Sequence, residues 1–306
     1  MNPRNPSEPV LPRALKPGDT LGIAAPASPF DRQSFDAGIQ VLESMNFNIA
    51  IPEGFFDQNG YLAGADQHRA DLLNGLFADP HIDGIICARG GYGAMRILPL
   101  LDVDAIFRHP KVFVGFSDIT ALLGFLVERC GMVAFHGPTV TTLGSADSST
   151  RDRLQLALSK PAPLSLSTPS NHVIRSGSAT GRFFCGNLTL LCHLTGTPFQ
   201  PDFSGGILLI EDRGEEPYRI DRMLTQMLLA GCFNGLAGLA LGAFTDCGSA
   251  EAVHRIVADR LGGLNIPILA GFDVGHETVN MTLPVGLPVR LDTRSGSLIF
   301  AGPAVR

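Results

Sequence analysis

A serine, a carboxylate and a histidine each follow closely on a short apolar run of this chain. Ser117 stands in Gly115-Phe116-Ser117-Asp118 after the run Lys111–Gly115, Glu211 follows Gly206–Ile210, and His276 stands in Gly275-His276-Glu277 after Pro267–Ala270. These three residue types are the parts of a hydrolytic triad: a hydroxyl that attacks, an imidazole that takes its proton, and a carboxylate that orients the imidazole. Their placement suits the chemistry, because function gathers at the carboxyl ends of strands in open sheets. Serine is also a preferred helix cap, so position alone leaves Ser117 as nucleophile or cap. Glu211 has two rivals as orienting group, Glu215 and Glu216. Of the three, Glu211 directly follows a predicted strand, which can hold a side chain to close tolerance.

A second feature is the cluster Arg89-Gly90-Gly91-Tyr92-Gly93, which follows the apolar run Ile82–Ala88. Glycines at a strand end let the backbone approach a ligand and turn its N–H groups outward. Gly91 could thus donate to an oxyanion together with Asp118, whose N–H would lie at the start of the helix after Ser117. A plain tight turn explains the same glycines. Arg89 could clamp a substrate carboxylate or serve a structural ion pair. The loop is not a Walker loop, since no Gly-Lys-Ser/Thr follows. The serine turn resembles the Gly-x-Ser-x-Gly elbow of α/β-hydrolases, but Ile119 stands where that motif has its second glycine.

The elements that must carry these residues alternate. Leu21–Ala25, Ile82–Ala88 and Lys111–Gly115 read as buried strands, with helical spacing at Phe35, Ile39, Leu42 and Met45 and again at Ile119, Leu122, Leu123 and Leu126. That alternation predicts an α/β fold, with an N-terminal domain built on a mainly parallel sheet flanked by helices. Pro161–Pro169 is rich in proline and serine and reads as part of a crossing between domains. The expected organisation is a flexible tail at 1–14, a nucleophile domain at 15–160, a linker at 161–180, and a smaller C-terminal domain at 181–306 with its own β-sheet. In that last domain Gly206–Ile210, Leu236–Phe244 and Pro267–Ala270 read as strands, and Tyr218–Leu229 and Val253–Leu261 as helices.

Composition narrows the partners. The chain has 306 residues, 45% hydrophobic and 17% charged, with a net charge of −6. That is an ordinary globular composition, and without basic runs it excludes nucleic acid and anionic membrane as expected partners. The first fourteen residues lack the apolar core of a signal peptide, so a cytoplasmic location is expected. Six cysteines form no CxxC pair and eight histidines form no HExxH, so buried free thiols and no metal or other cofactor are expected.

The two loops, together with Gly186-Asn187-Leu188, Leu209-Ile210-Glu211-Asp212, Pro217-Tyr218-Arg219-Ile220-Asp221-Arg222-Met223-Leu224 and Gly275-His276 followed by Thr282-Leu283-Pro284, resemble the LD-carboxypeptidase family. That family includes the muramoyltetrapeptide carboxypeptidases and the microcin-immunity hydrolases, and the resemblance runs from about Leu15 to the C-terminus. It implies a Ser117–His276–Glu211 triad with its nucleophile on one domain and its base and acid on the other. It further implies oxyanion donors at Gly91 and Asp118, substrate contacts from Arg89 and Tyr92, and a homodimer. The implied reaction is hydrolysis of an L,D-peptide bond, releasing the terminal D-alanine of a cytoplasmic murein tetrapeptide during cell-wall recycling. Three other readings stay open: an ester or acyl-peptide hydrolase of the α/β-hydrolase fold, a microcin-immunity-like amidase, and a two-domain ligand-binding protein without catalysis.

Overall fold

The computed structural model describes residues 9–170 and 172–306. The chain divides into two compact units. The first comprises residues through Ala162 with Met281–Val285 and Ala304–Arg306; the second comprises Pro163–Asn280 and Gly286–Pro303.

In the first unit the alternation read from the sequence becomes β1 (Thr20–Ala24), α1 (Arg32–Ser44), β2 (Asn48–Ala50), α2 (Asp66–Ala78), β3 (Gly84–Cys87), α3 (Ala94–Ile97), α4 (Val103–Arg108), β4 (Val112–Gly115), α5 (Thr120–Cys130), β5 (Ala134–His136), α6 (Val140–Leu143) and α7 (Ser148–Ser159). Strands β2, β1, β3, β4 and β5 lie side by side in that order, all parallel. A sixth strand, Leu283–Val285, returns from far along the chain and pairs antiparallel with β5. Every residue of β3 and β4 is buried, as expected for central parallel strands covered on both faces. The order places β1 and β3 at the point where the connections change direction, and there the loops after the two strands meet: the Ser28 N–H donates to the Gly90 carbonyl at 3.3 Å.

The second unit is built on an eight-stranded mixed sheet. Its elements are β6 (Pro163–Ser167), β7 (His172–Arg175), β8 (Ser178–Asn187), α8 (Leu188–Leu194), β9 (Ile207–Arg213), α9 (Pro217–Leu229), β10 (Gly238–Thr245), α10 (Ala250–Leu261) and β11 (Ile268–Ala270). After Leu283–Val285, which is β12, come β13 (Pro288–Asp292) and β14 (Ser297–Pro303). Strands β8, β9, β10 and β11 run parallel, and β7 on one flank and β13, β14 and β6 on the other are antiparallel.

Two expectations about the boundaries are corrected. The stretch 161–180, read as a linker, supplies β6, β7 and the start of β8. Its burial alternates along β6 (exposed, buried, exposed, buried, exposed), so Pro163, Ser165 and Ser167, which helped suggest a linker, occupy the outer face of an edge strand. Of the expected tail, residues 1–8 lie outside the described residues, but residues 9–14 are held in place. The Val10 N–H donates to the Gly131 carbonyl at 2.8 Å, the Ala14 N–H to the Arg306 carbonyl at 2.9 Å, and Arg13 bridges Asp19 and Asp83 at 2.9 and 2.6 Å.

Candidate active site

Strand β4 ends at Gly115, and the chain then turns sharply. Phe116 is fully extended, with φ −153° and ψ −173°, and Ser117 follows at φ +63°, in the left-handed region that non-glycine residues enter at a cost of about 1–3 kcal/mol. From Lys111 to Leu123 every residue is buried except Ser117, which is partly exposed. The cap reading does not hold. Ile119 occupies the N-cap of α5, and neither it nor the short 3₁₀ turn Ser117–Ile119 has a side-chain cap. A strained turn that lifts one hydroxyl out of a buried segment is the geometry of a nucleophile elbow.

The glycine loop after β3 packs against this turn. A Cβ on Gly90 would lie 2.9 Å from Ser117 Cβ, 3.1 Å from its Oγ and 3.2 Å from the Asp118 nitrogen. Only a residue without a side chain leaves open the space in front of the hydroxyl and that N–H. Gly91 follows at φ +101°, where a Cβ would meet Ser28 Oγ at 2.6 Å. Ser28 Oγ in turn accepts the Tyr92 N–H at 3.0 Å. The Tyr92 ring, 52% exposed, sits edge-on to the Tyr61 ring, 64% exposed, at 5.6 Å. Arg89 is exposed and donates to the Pro29 carbonyl at 2.7 Å, so part of its guanidinium ties the loop after β1. The Asp118 carboxylate turns inward and accepts the Ala94 N–H at 2.7 Å, which links the Ser117 turn to the end of the glycine loop. Burial raises this carboxyl above its usual range, while the Ala94 bond and the positive charge of Arg69 oppose that shift.

In the second unit Glu211 lies inside β9 rather than beyond its end, because the ladder with β10 resumes past a bulge at Phe244↔Asp212 and Thr245↔Arg213. Its carboxylate is fully buried, and Oε2 lies 2.6 Å from Nδ1 of His276, whose side chain is 13% exposed. Burial raises the Glu211 carboxyl; the bond to His276 and the imidazole charge pull it down, Asp212 adds to the rise, and the Asn187 amide opposes it. His276 sits in the loop after β11, and the approach depends on Gly275. At φ +132° a Cβ there would fall 2.8 Å from Glu211 Oε2. The Gly275 N–H is held by the Asn280 side chain at 3.1 Å.

Of the two rival glutamates, Glu215 pairs with Arg219 at 3.5 Å and Glu216 is the N-cap residue of α9. Asp212, buried beside Glu211, is a structural anchor: it accepts from Asn187 at 2.8 Å, from the Thr189 N–H and hydroxyl at 2.9 and 2.8 Å, and from the Arg213 N–H at 2.8 Å. Sequence reasoning missed the roles of Gly90, Arg69, Asn187 and Gly275. Gly90, Asn187 and Gly275 carried a signal, by standing within motifs already singled out; Arg69 carried none.

Among the described residues no group of three or more His, Cys, Asp or Glu side chains could hold a metal, and no helix is long and apolar enough to cross a membrane. All six cysteines are free and buried.

The profile of the LD-carboxypeptidase N-terminal domain matches residues 21–137, and that of the LD-carboxypeptidase C-terminal domain matches residues 180–291. A putative carboxypeptidase of Streptomyces coelicolor is 38% identical over 97% of this chain and 97% of its own length. A probable murein peptide carboxypeptidase of Bacillus subtilis is 34% identical over 94% of this chain and 93% of its own. Among solved structures, a mutant of the microcin C7 self-immunity protein MccF in complex with adenosine monophosphate superposes with a TM-score of 0.89 at 26% identity, covering 97% of this chain and 100% of that one.

Proposed function

The chain belongs to the LD-carboxypeptidase family, and from that premise we propose that it is a serine-type carboxypeptidase that hydrolyses the L,D-peptide bond of a murein tetrapeptide and releases its terminal D-alanine. The observation that carries the reading is Ser117, held at φ +63° on the one partly exposed position of an otherwise buried segment, with Gly90 keeping the space before its hydroxyl empty.

In this reading the Nδ1–H of His276 is donated to Glu211, which makes Nε2 the acceptor nitrogen. Nε2 takes the Ser117 proton as Oγ bonds to the scissile carbonyl carbon. The carbonyl oxygen becomes an oxyanion, which the N–H groups of Gly91 and Asp118 receive; losing one such donor typically costs about 3–4 kcal/mol of transition-state stabilisation. The imidazolium then gives its proton to the amine of D-alanine, the C–N bond breaks, and an acyl ester remains on Ser117. Water attacks the ester, His276 takes its proton, and the serine is regenerated. Glu211 fixes the tautomer and stabilises the imidazolium. Arg89 and Tyr92 flank the nucleophile turn as substrate contacts, Arg89 toward the terminal carboxylate. The enzyme acts in the cytoplasm, as a homodimer, on recycled wall fragments.

The test is release of D-alanine from purified murein tetrapeptide, present with wild type and absent with Ser117→Ala. A second reading, an amidase acting on a nucleotide-linked substrate, is favoured by the likeness to MccF, which was captured with adenosine monophosphate. Saturable binding of adenosine monophosphate to this chain, with no D-alanine released from the tetrapeptide, would decide for it.

A further inference from the structure

The largest fully buried side chain among the described residues is a cation, and it works on the loop beside Ser117. Arg69, in the first turn of α2, is 1% exposed. Its Nε donates to the Gly64 carbonyl at 3.3 Å, Nη1 to the carbonyls of Pro26 and Gly93, the latter at 3.0 Å, and Nη2 to Asp66 Oδ1 at 2.5 Å. One planar fork therefore collects three backbone carbonyls from three segments: the loop after β1, the approach to α2, and the last glycine of the loop after β3.

Helix stability does not explain this residue. A cation in the first turn opposes the helix dipole, and burying a guanidinium is costly unless its donors are used. Here they are spent mainly on loops outside the helix. Gly93 shows how closely the loop is fitted to the guanidinium, since at φ +129° a Cβ there would stand 2.9 Å from Arg69 Nη1. The same stretch is fixed twice more. The Ala94 N–H donates to Asp118 at 2.7 Å, and Arg96 reaches the other oxygen of Asp66, Nε to Oδ2, at 2.9 Å.

We propose that Arg69 is a positioning residue for the reaction: by holding the Gly93 carbonyl it fixes the glycine loop so that its N–H groups face the oxyanion formed at Ser117. The inference rests on the serine-hydrolase reading above and extends it to a residue that touches neither substrate nor nucleophile. Lysine cannot substitute, because a point charge with three donors does not reproduce a planar fork engaged on four acceptors. A displaced oxyanion loop lowers the rate of the chemical step and leaves ground-state binding nearly alone.

The experiment follows D-alanine release from murein tetrapeptide by wild type, Arg69→Lys, Leu73→Ala and Ser117→Ala. Leu73 is buried on the same helix and makes no part of the loop, so its alanine variant reports destabilisation of α2 alone. Arg69→Lys is expected to lose kcat by about 30-fold or more, since small misplacements cost about 10²-fold. KM should stay within about threefold, and amide hydrogen exchange at residues 90–94 should quicken while β4 stays protected. Leu73→Ala should keep kcat within about twofold even with an equal loss of Tm. The inference is overturned if Arg69→Lys keeps kcat within about threefold, if the whole effect falls on KM, or if Leu73→Ala loses kcat equally at matched Tm. Should Arg69→Lys not fold, Gly93→Ala, which pushes the loop off the guanidinium, is judged by the same kcat, KM and exchange criteria. An inactive Ser117→Ala beside a normal Arg69→Lys sinks this inference and leaves the hydrolase reading standing. An active Ser117→Ala sinks both.

Discussion

Oε2 of Glu211 and Nδ1 of His276 are 2.6 Å apart, and the carboxylate in that pair has no exposed surface. A carboxyl so buried would ordinarily favour its neutral form; the imidazole beside it opposes this most, with the Asn187 amide adding to it. The pair is therefore mutually dependent: the histidine supports the charge on the glutamate, and the glutamate sets which ring nitrogen carries hydrogen.

That dependence predicts the outcome of a choice among three glutamates. Glu211→Gln keeps the shape but can present a donor where an acceptor is needed, and kcat for D-alanine release should fall by about 10²-fold or more. Glu215→Gln and Glu216→Gln, one in an ion pair with Arg219 and the other at the start of α9, should each stay within about tenfold of wild type. A crippled Glu215 or Glu216 variant beside a normal Glu211→Gln would move the orienting role down the chain.

The strain at Ser117 predicts that activity and stability part company there. Ser117→Gly removes both the hydroxyl and the left-handed penalty. It should be inactive, yet its denaturant midpoint should correspond to about 1 kcal/mol more stability than Ser117→Ala, which keeps the strain. Equal midpoints for the two variants would mean that the turn is not strained.

Gly90 is predicted to matter through empty space. In Gly90→Ala the new Cβ would sit 2.9 Å from Ser117 Cβ and 3.2 Å from the Asp118 nitrogen, so kcat should drop by about 10²-fold, the typical cost of spoiling one oxyanion donor. Gly75→Ala on the exposed side of α2 meets nothing within 4 Å and should leave kcat unchanged while stabilising the helix by up to about 1 kcal/mol. Steady-state kinetics and thermal melts on the two variants check both statements.

Lys111 predicts a pH dependence of stability away from the site. It is 7% exposed, its Nζ donates to the carbonyls of Leu76, at 2.8 Å, and Asp79, and burial lowers it from 10.5 to about 8. The unfolded chain therefore holds this proton more tightly than the folded one. The penalty is fully present below pH 8 and is relieved as pH rises from about 8 to 10.5, by at most about 3 kcal/mol. Relative to Lys111→Met, which has no group to titrate, wild type should gain stability across that window in urea unfolding at a series of pH values. A constant difference between the two proteins would refute it.

What could be read from the residues alone was local. Apolar runs ending in Gly115-Phe116-Ser117 and in Arg89-Gly90-Gly91 predict strands followed by turns because strand burial and glycine conformation are dictated over a few neighbouring residues, and the elements found there agree to within a residue or two. The motif order likewise carried the family, since those motifs are stretches of contiguous sequence. Three things depended on the tertiary structure because they are set by partners distant in the chain. The proline- and serine-rich stretch after Ala162 reads as a linker until β14 pairs with it. The sequence favours Glu211 over Glu215 and Glu216 by its place after an apolar run, but its partner is a histidine 65 positions away, brought to 2.6 Å by the loop after β11 and admitted by the bare Cα of Gly275. Arg69 carries no local signal at all: an arginine in a helix is ordinarily solvated, and it becomes the centre of the glycine loop's support only because α2 packs its first turn beneath Pro26 and Gly93. Side-chain identity and short-range periodicity decide where chemistry can be offered; long-range packing decides which of the offered groups meet.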